Sequence, residues 1–221
     1  MMHSNSKERG MIFNAEMVRA ILSGQKTQTR RIVKNVTPDN CMTLTKPIKT
    51  RDGVYTHVMD APKHGLCPHG NVGDRIWVRE TWQGPLVDFE HSDDLLRNAE
   101  KYEKPENCVY EADGVPAPEF YDADDNLRCC WRPSIHMPRW ASRILLEITN
   151  VRVERLQAIT LGDICKEFGC GLYDFRPATY GFQAWEELWE SIYGADNPKS
   201  WQANPWVWVI EFKRVQEQSN D

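Results

Sequence analysis

The chain has 221 residues, 41% of them hydrophobic, and a net charge of −5 at neutral pH. That length and apolar share suit one elaborated domain with a packed core, and the acidic balance excludes a protein that coats nucleic acid non-specifically. No run approaches the roughly 18 consecutive apolar residues of a membrane span, and residues 1–9 lack the apolar stretch of a secretory signal, so the cytoplasm is the expected compartment.

Residues 15–22 read as a short helix with Met17, Val18, Ile21 and Leu22 on one face and Gly24 where a left-handed C-terminal cap belongs. Residues 25–33 read as a turn entering a strand, with Thr27, Thr29 and Arg31 on one side and Gln28 and Arg30 on the other. Residues 36–70 are rich in Pro, Gly, Asp, Thr and Lys and read as loop or irregular hairpin, of which about 36–65 form a first insertion. Gly73-Asp74 opens a strand over 75–82 in which alternation puts Trp77, Arg79 and Thr81 on one face. An acidic, proline-punctuated second insertion over about 84–128 is expected to carry a short hairpin and one helical turn.

The longest strand candidate spans 142–154. A helix follows from Thr160, an N-cap with Asp163 three residues on. A second helix spans about 180–193, with Phe182, Trp185, Leu188, Trp189 and Ile192 on one stripe, and a strand runs over 206–215. Residues 216–221 read as a frayed tail. Many strands at hairpin spacing predict a single α+β domain over 1–221, a mainly antiparallel sheet curled toward a barrel.

The string Gly24-Gln25-Lys26-Thr27-Gln28-Thr29-Arg30-Arg31, just past a short amphipathic helix, resembles the ASCH signature Gly-x-Lys-Thr-x-Thr-x-Arg. Gly73-Asp74 before Ile76-Trp77-Val78, Ile159-Thr160-Leu161 before residues 163–167, and Trp206 to Phe212 resemble further segments of the same family in order. Residues 77–81 and 136–144 resemble segments of its larger, prophage-borne members. The resemblance implies a PUA-like β-barrel with flanking helices and long loop insertions. It also implies the activity of the small bacterial members, N(4)-acetylcytidine amidohydrolases, with Lys26, Thr29 and Glu167 as the catalytic set. The chain departs from the pattern at Ile164, where a small residue is usual, and at Phe168, inserted before Gly169, which leaves the register at Glu167 open by one residue.

Hydrolysis of an exocyclic amide needs a nucleophile, a base, a proton for the leaving amine and stabilisation of an oxyanion. On the implied assignment, Lys26 activates Thr29 or a water if burial and a neighbouring cation lower its pKa. Arg31, or Arg30, would supply that cation and hold the oxyanion, and Glu167 would carry the proton to cytosine N4 or orient the lysine. Trp77, Arg79, Glu80, Arg139 and Trp140 join Arg31 as candidates for binding substrate, since a tryptophan stacked on a base contributes ~1–3 kcal/mol. Each also has a plainer reading: residues 26–31 as a polar surface strand, Glu167 as a solvated helical carboxylate, and Arg139 and Arg143 as partners of acids in the second insertion. Trp185, Trp189, Trp206 and Trp208 are assigned to packing. Lying just past a helix cap, Lys26 and Thr29 are expected to carry little core packing.

Neither a metal nor a cofactor is expected. Cys67-Pro68-His69, Cys129-Cys130 and the Cys165/Cys170 pair lack the spacing of a closed zinc site. The seven cysteines are expected to be reduced thiols, and His136 a structural histidine. The expected partner is a small nucleoside substrate, with RNA as the second candidate and neither a membrane nor an obligate protein partner. Two rivals stand beside the amidohydrolase: a non-catalytic RNA-binding module, and a ribonuclease in which Lys26 and Arg31 stabilise a pentacovalent phosphate.

Overall fold

A computed structural model describes residues 6–44, 54–121 and 126–215 of the chain. The tail at 216–221 and part of each insertion lie outside the described residues. The elements in chain order begin with β1 (Glu8–Ile12), α1 (Ala15–Leu22), β2 (Gln28–Ile32), β3 (Cys41–Thr43), β4 (Tyr55–His57) and β5 (Arg75–Arg79). The second insertion carries α2 (Ser92–Arg97) and α3 (Ala99–Tyr102), flanked by β6 (Trp82–Gln83) and β7 (Val109–Tyr110), then β8 (Glu119–Tyr121) and β9 (Leu127–Cys129). The chain closes with β10 (Leu145–Arg155), α4 (Leu161–Phe168), α5 (Thr179–Tyr193) and β11 (Trp206–Arg214).

The fold is mixed α and β around one five-stranded sheet of order β1-β5-β10-β11-β2. The β1·β5 pair is parallel and the other three pairs are antiparallel. β11 reads as a continuous apolar run because both its faces are covered. Strand alternation sends Trp208, Ile210 and Phe212 into the main core and Val207 and Val209 into a second core. The main core also takes Val18 and Ile21 of α1, while the second is closed by Ile164 of α4 and by Trp185 and Trp189 of α5.

The described strand pairings leave β1 and β2 at the two ends of the sheet, with no backbone ladder closing it into a barrel among the described residues. A side chain bridges the two ends, since Arg31 Nη2 on β2 donates to the Ile12 carbonyl on β1 at 3.0 Å.

Local sequence accounts for the helix ends. Asn14 accepts from the Met17 amide at 2.8 Å to start α1, and Gly24 follows its end at φ +75°. Thr160 and Asp163 form a reciprocal capping box at the start of α4. The expected strand over 75–82 is divided instead. β5 ends at Arg79, the buried Glu80 turns toward Arg143, and Trp82 enters a small separate core with Tyr110, Met137 and Ala141. The expected α5 stripe is buried at Trp185 and Trp189, whereas Phe182 and Ile192 keep 37% and 53% of their surface exposed. The second insertion holds two short helices where one helical turn is expected.

Candidate functional site

The segment between α1 and β2 is polar in sequence; Ser23, Gly24 and Gln25 are exposed, and burial begins at Lys26. After Gly24 turns the chain, the amides of Gln25 and Lys26 both donate to the Ala20 carbonyl at 2.9 Å. The Thr27 amide donates to Lys166 at 3.3 Å, and its carbonyl accepts from Phe212 at 2.9 Å, so α1, α4 and β11 all grip these residues. Gly169, which ends α4 at φ +74°, lets the helix approach: a Cβ there would lie 2.6 Å from Ala20 Cβ and 3.2 Å from the Lys26 nitrogen. Lys26 is thereby 2% exposed, and its Nζ donates to the Glu167 carbonyl at 2.5 Å and to Glu167 Oε2 at 3.0 Å.

Glu167 is shared. Its other oxygen, Oε1, accepts from Arg30 Nη1 at 3.1 Å. Arg30 reaches on to Glu154 at 2.5 Å and Asp163 at 3.5 Å, and Arg152 ties Glu154, Asp163 and Glu211 together. Gln28 fits between them with its amide donating to Asp163 and accepting from Arg30 Nη1. The alternation along β2 is as read from the sequence. Gln28 and Arg30 face this acidic cluster, and on the other side the Thr29 hydroxyl accepts from Arg31 Nη1 at 2.8 Å. Burial is the largest influence on the Lys26 amine and pushes its pKa down. Glu167 opposes that shift, and Arg31 and Arg30 add to it.

A narrow cleft lies beside β2 and is lined by three consecutive residues of that strand, so side chains of both strand faces reach it. Thr29, Arg30 and Arg31 form one wall with Glu167; Met17 of α1 and Trp185, Leu188, Trp189, Ile192 and Tyr193 of α5 form the rest. As it stands the cleft has room for about one water molecule. Trp189 and Tyr193 pack ring on ring at 4.4 Å. Burial raises the pKa of the Tyr193 hydroxyl, with Arg31 lowering and Glu167 raising it to lesser degrees.

Lys26, Thr29 and Glu167 therefore meet in one place, but not as a nucleophile bonded to a lysine base. Lys26 sits behind Glu167, outside the cleft lining, while Thr29 and Glu167 face the cleft. The expectation that Lys26 and Thr29 carry little packing does not hold, since they are 2% and 1% exposed. Arg31 lines the cleft beside Thr29.

The other five candidates lie elsewhere. The Trp77 ring covers Gly10 and stacks under Arg79 at 5.4 Å, and Arg79 Nη2 donates to the Ile135 carbonyl. Glu80 accepts two bonds at 3.0 Å from Arg143. Arg139 pairs with Glu8 at 2.9 Å, and Trp140 meets Trp82 edge to face at 5.5 Å. Each is engaged by its own neighbours, and none of the five lines the cleft. Arg143 takes an acid of the second insertion, Asp113, at 2.8 Å, whereas Arg139 pairs with none among the described residues of that insertion.

Trp185 and Tyr193 carry no mark in the sequence that separates them from core, since they follow the same helical spacing as the packing residues. Arg30 falls on a variable position of the signature and enters the sequence reading only as the alternative to Arg31. All seven cysteines are free, and no group of three or more His, Cys, Asp or Glu side chains is placed to hold a metal among the described residues. No helix is long and apolar enough to cross a membrane among the described residues. Comparisons with protein-family profiles, curated proteins and solved structures give no match.

Proposed function

We propose that the protein is an amidohydrolase that removes the acyl group from N(4)-acetylcytidine or a related N4-acylated cytosine nucleoside, built on an ASCH-type, PUA-like barrel. One observation carries the reading. Glu167, 141 residues from Lys26 in sequence, is held by Lys26 and Arg30 at the wall of a cleft that also presents the Thr29 hydroxyl. These are the three positions that the ASCH resemblance implies.

In this reading Thr29 Oγ1 attacks the acyl carbon. The bond from Arg31 stabilises the alkoxide as it forms. Glu167 accepts the hydroxyl proton and returns it to cytosine N4, and Lys26 and Arg30 hold the carboxylate in place. Lys26 is thus a positioning residue and an electrostatic partner rather than the base that touches Thr29. Because the cleft is narrow, α5 side chains at its rim, Ile192 and Tyr193, shift to admit a nucleoside.

The test is steady-state hydrolysis of N(4)-acetylcytidine. Glu167→Gln is expected to lower kcat by ~10²–10⁴-fold and Thr29→Ala to abolish turnover, with circular dichroism confirming the fold. Wild-type rates in folded Glu167→Gln protein would refute the mechanism.

A second reading, RNA binding without catalysis, has one observation in its favour. The His69 pKa is pushed down to about 4, mainly by burial and then by the positive charges of Arg31, Arg9 and Lys34, so several cations share one region. No turnover by the wild type, together with salt-sensitive binding of single-stranded RNA, would select this reading.

A further inference from the structure

Of five buried side-chain atoms without a hydrogen-bond partner among the described residues, two are donors of residues that line the cleft. Arg30 uses both terminal nitrogens on carboxylates, yet its Nε–H meets no acceptor. The indole N–H of Trp185 meets none either. Both side chains line the cleft and are buried, at 1% and 4% exposure, and the Arg30 guanidinium lies 5.9 Å from the centre of the Trp185 ring. The contrast with the next turn of α5 is direct, because Trp189 donates its N–H to the Lys199 carbonyl at 2.7 Å. A buried donor left unsatisfied is costly, and native interiors hold few of them. Two beside one small space call for an acceptor that arrives from outside.

The chemistry of the pair narrows what that acceptor is. An indole N–H only donates, so it can neither bind a metal nor take a proton. A guanidinium keeps its charge and favours an oxygen that becomes negative. The acceptor positions around them, Glu167 and Thr29, are already assigned to proton transfer and attack. We infer that Arg30 Nε and Trp185 Nε1 receive the acyl carbonyl oxygen of the substrate and hold it as an oxyanion, an assignment that rests on the amidohydrolase reading.

The step balances as follows. The Thr29 Oγ1–C bond forms, the hydroxyl proton passes to Glu167, and the C=O π pair moves onto the oxygen held by Arg30 and Trp185. Collapse restores C=O and breaks C–N4, and N4 leaves with that electron pair and the proton from Glu167. Water then repeats the sequence on the Thr29 ester: its O–C bond forms, Glu167 relays its proton to Thr29 Oγ1 as the ester bond breaks, and a carboxylic acid is released.

The test removes one donor and keeps the ring. Trp185→Phe is expected to lower kcat for N(4)-acetylcytidine by ~10²-fold, as for loss of one oxyanion donor, with KM little changed and the melting temperature lowered by the volume lost from the second core. Affinity for a tetrahedral methylphosphonamidate analogue should fall in parallel, while affinity for cytidine, which lacks the acyl group, stays the same. Should Trp185→Phe fold poorly, benzothienylalanine at position 185 keeps the ring shape with sulfur in place of N–H, and the same losses are expected. Undiminished kcat and analogue affinity in either folded variant would overturn the oxyanion assignment and leave the amidohydrolase standing. Absence of any turnover by the wild type would overturn both.

Discussion

Two buried carboxylates, Glu167 and Glu80, are each held by an arginine, and they differ in what is left over. At Glu80 the ion pair itself is saturated, although Arg79 Nε, Trp82 Nε1 and Gln83 Oε1 close by in sequence are also buried without partners. Arg143 gives Nε and Nη2 to its two oxygens, turns Nη1 to Asp113, and lies 3.9 Å above the Tyr110 ring. At Glu167 the arginine and the lysine hold the carboxylate, yet Arg30 Nε and Trp185 Nε1 beside it stay without partners, and a hydroxyl shares the cleft. A buried ion pair is therefore weak evidence of a site by itself, because a saturated pair only holds the fold together. What sets Glu167 apart is that the unused donors beside it belong to side chains that line a cleft shared with a hydroxyl.

The comparison can be broken most forcefully at Arg143. Arg143→Ala leaves Glu80, which is 1% exposed, without its cation and should cost about 3–5 kcal/mol in urea unfolding. Activity per folded molecule should survive. Glu80→Met with Arg143→Met should restore most of that stability, since an apolar pair can replace a buried ionic one.

Lys26→Ala should cost less, about 2–3 kcal/mol, because Arg30 still holds Glu167 and only the lysine's charge-assisted bonds are lost. Here activity should vanish in the folded fraction. Equal activity profiles for the two variants would erase the distinction between a sealed pair and a site.

His69 sharpens the contrast through pH. Its folded pKa of about 4 lies below the ordinary 6.5. Between those values the unfolded chain binds a proton that the folded chain does not, so stability falls as pH drops from 6.5 to 4. His69→Asn should flatten that part of the curve by about 1–3 kcal/mol relative to the wild type, read as the difference in unfolding free energy at pH 4.5 and 7.

The smallest effect is at Thr160, whose hydroxyl caps α4 and holds Asp163. Thr160→Ala should cost about 1 kcal/mol and lower kcat modestly through the Asp163 contact with Arg30.

What the sequence discloses is what local chemistry decides. The cap at Gly24, the capping box of Thr160 with Asp163, and the apolar run of β11 all follow from neighbours within a few residues. The mainly antiparallel α+β class follows from their sum. The burial of Lys26, Thr29 and Arg30 does not, because it depends on counter-charges brought from β10, α4 and β11, and a polar string reads as surface until those partners are known. The break at Glu80 was hidden for the same reason, since its partner Arg143 lies 63 residues away. Trp185 was assigned to packing, and it does pack. Its unpaired N–H depends on where the nearest acceptor falls, which helical periodicity leaves undefined.

The position of β2 has a consequence for how the chain is made. Its only ladder partner among the described residues is β11, with Thr29 opposite Ile210 and Gln28 opposite Glu211. Residues 26–31 are thus synthesised early, while the strand that fixes them and the helix that supplies Glu167 come late. Pairings so distant in sequence slow folding. A nascent polypeptide lacking residues 206–214 has nothing to seat β2 against, and its lysine and arginines stay hydrated. Assembly of the cleft and completion of the sheet then coincide.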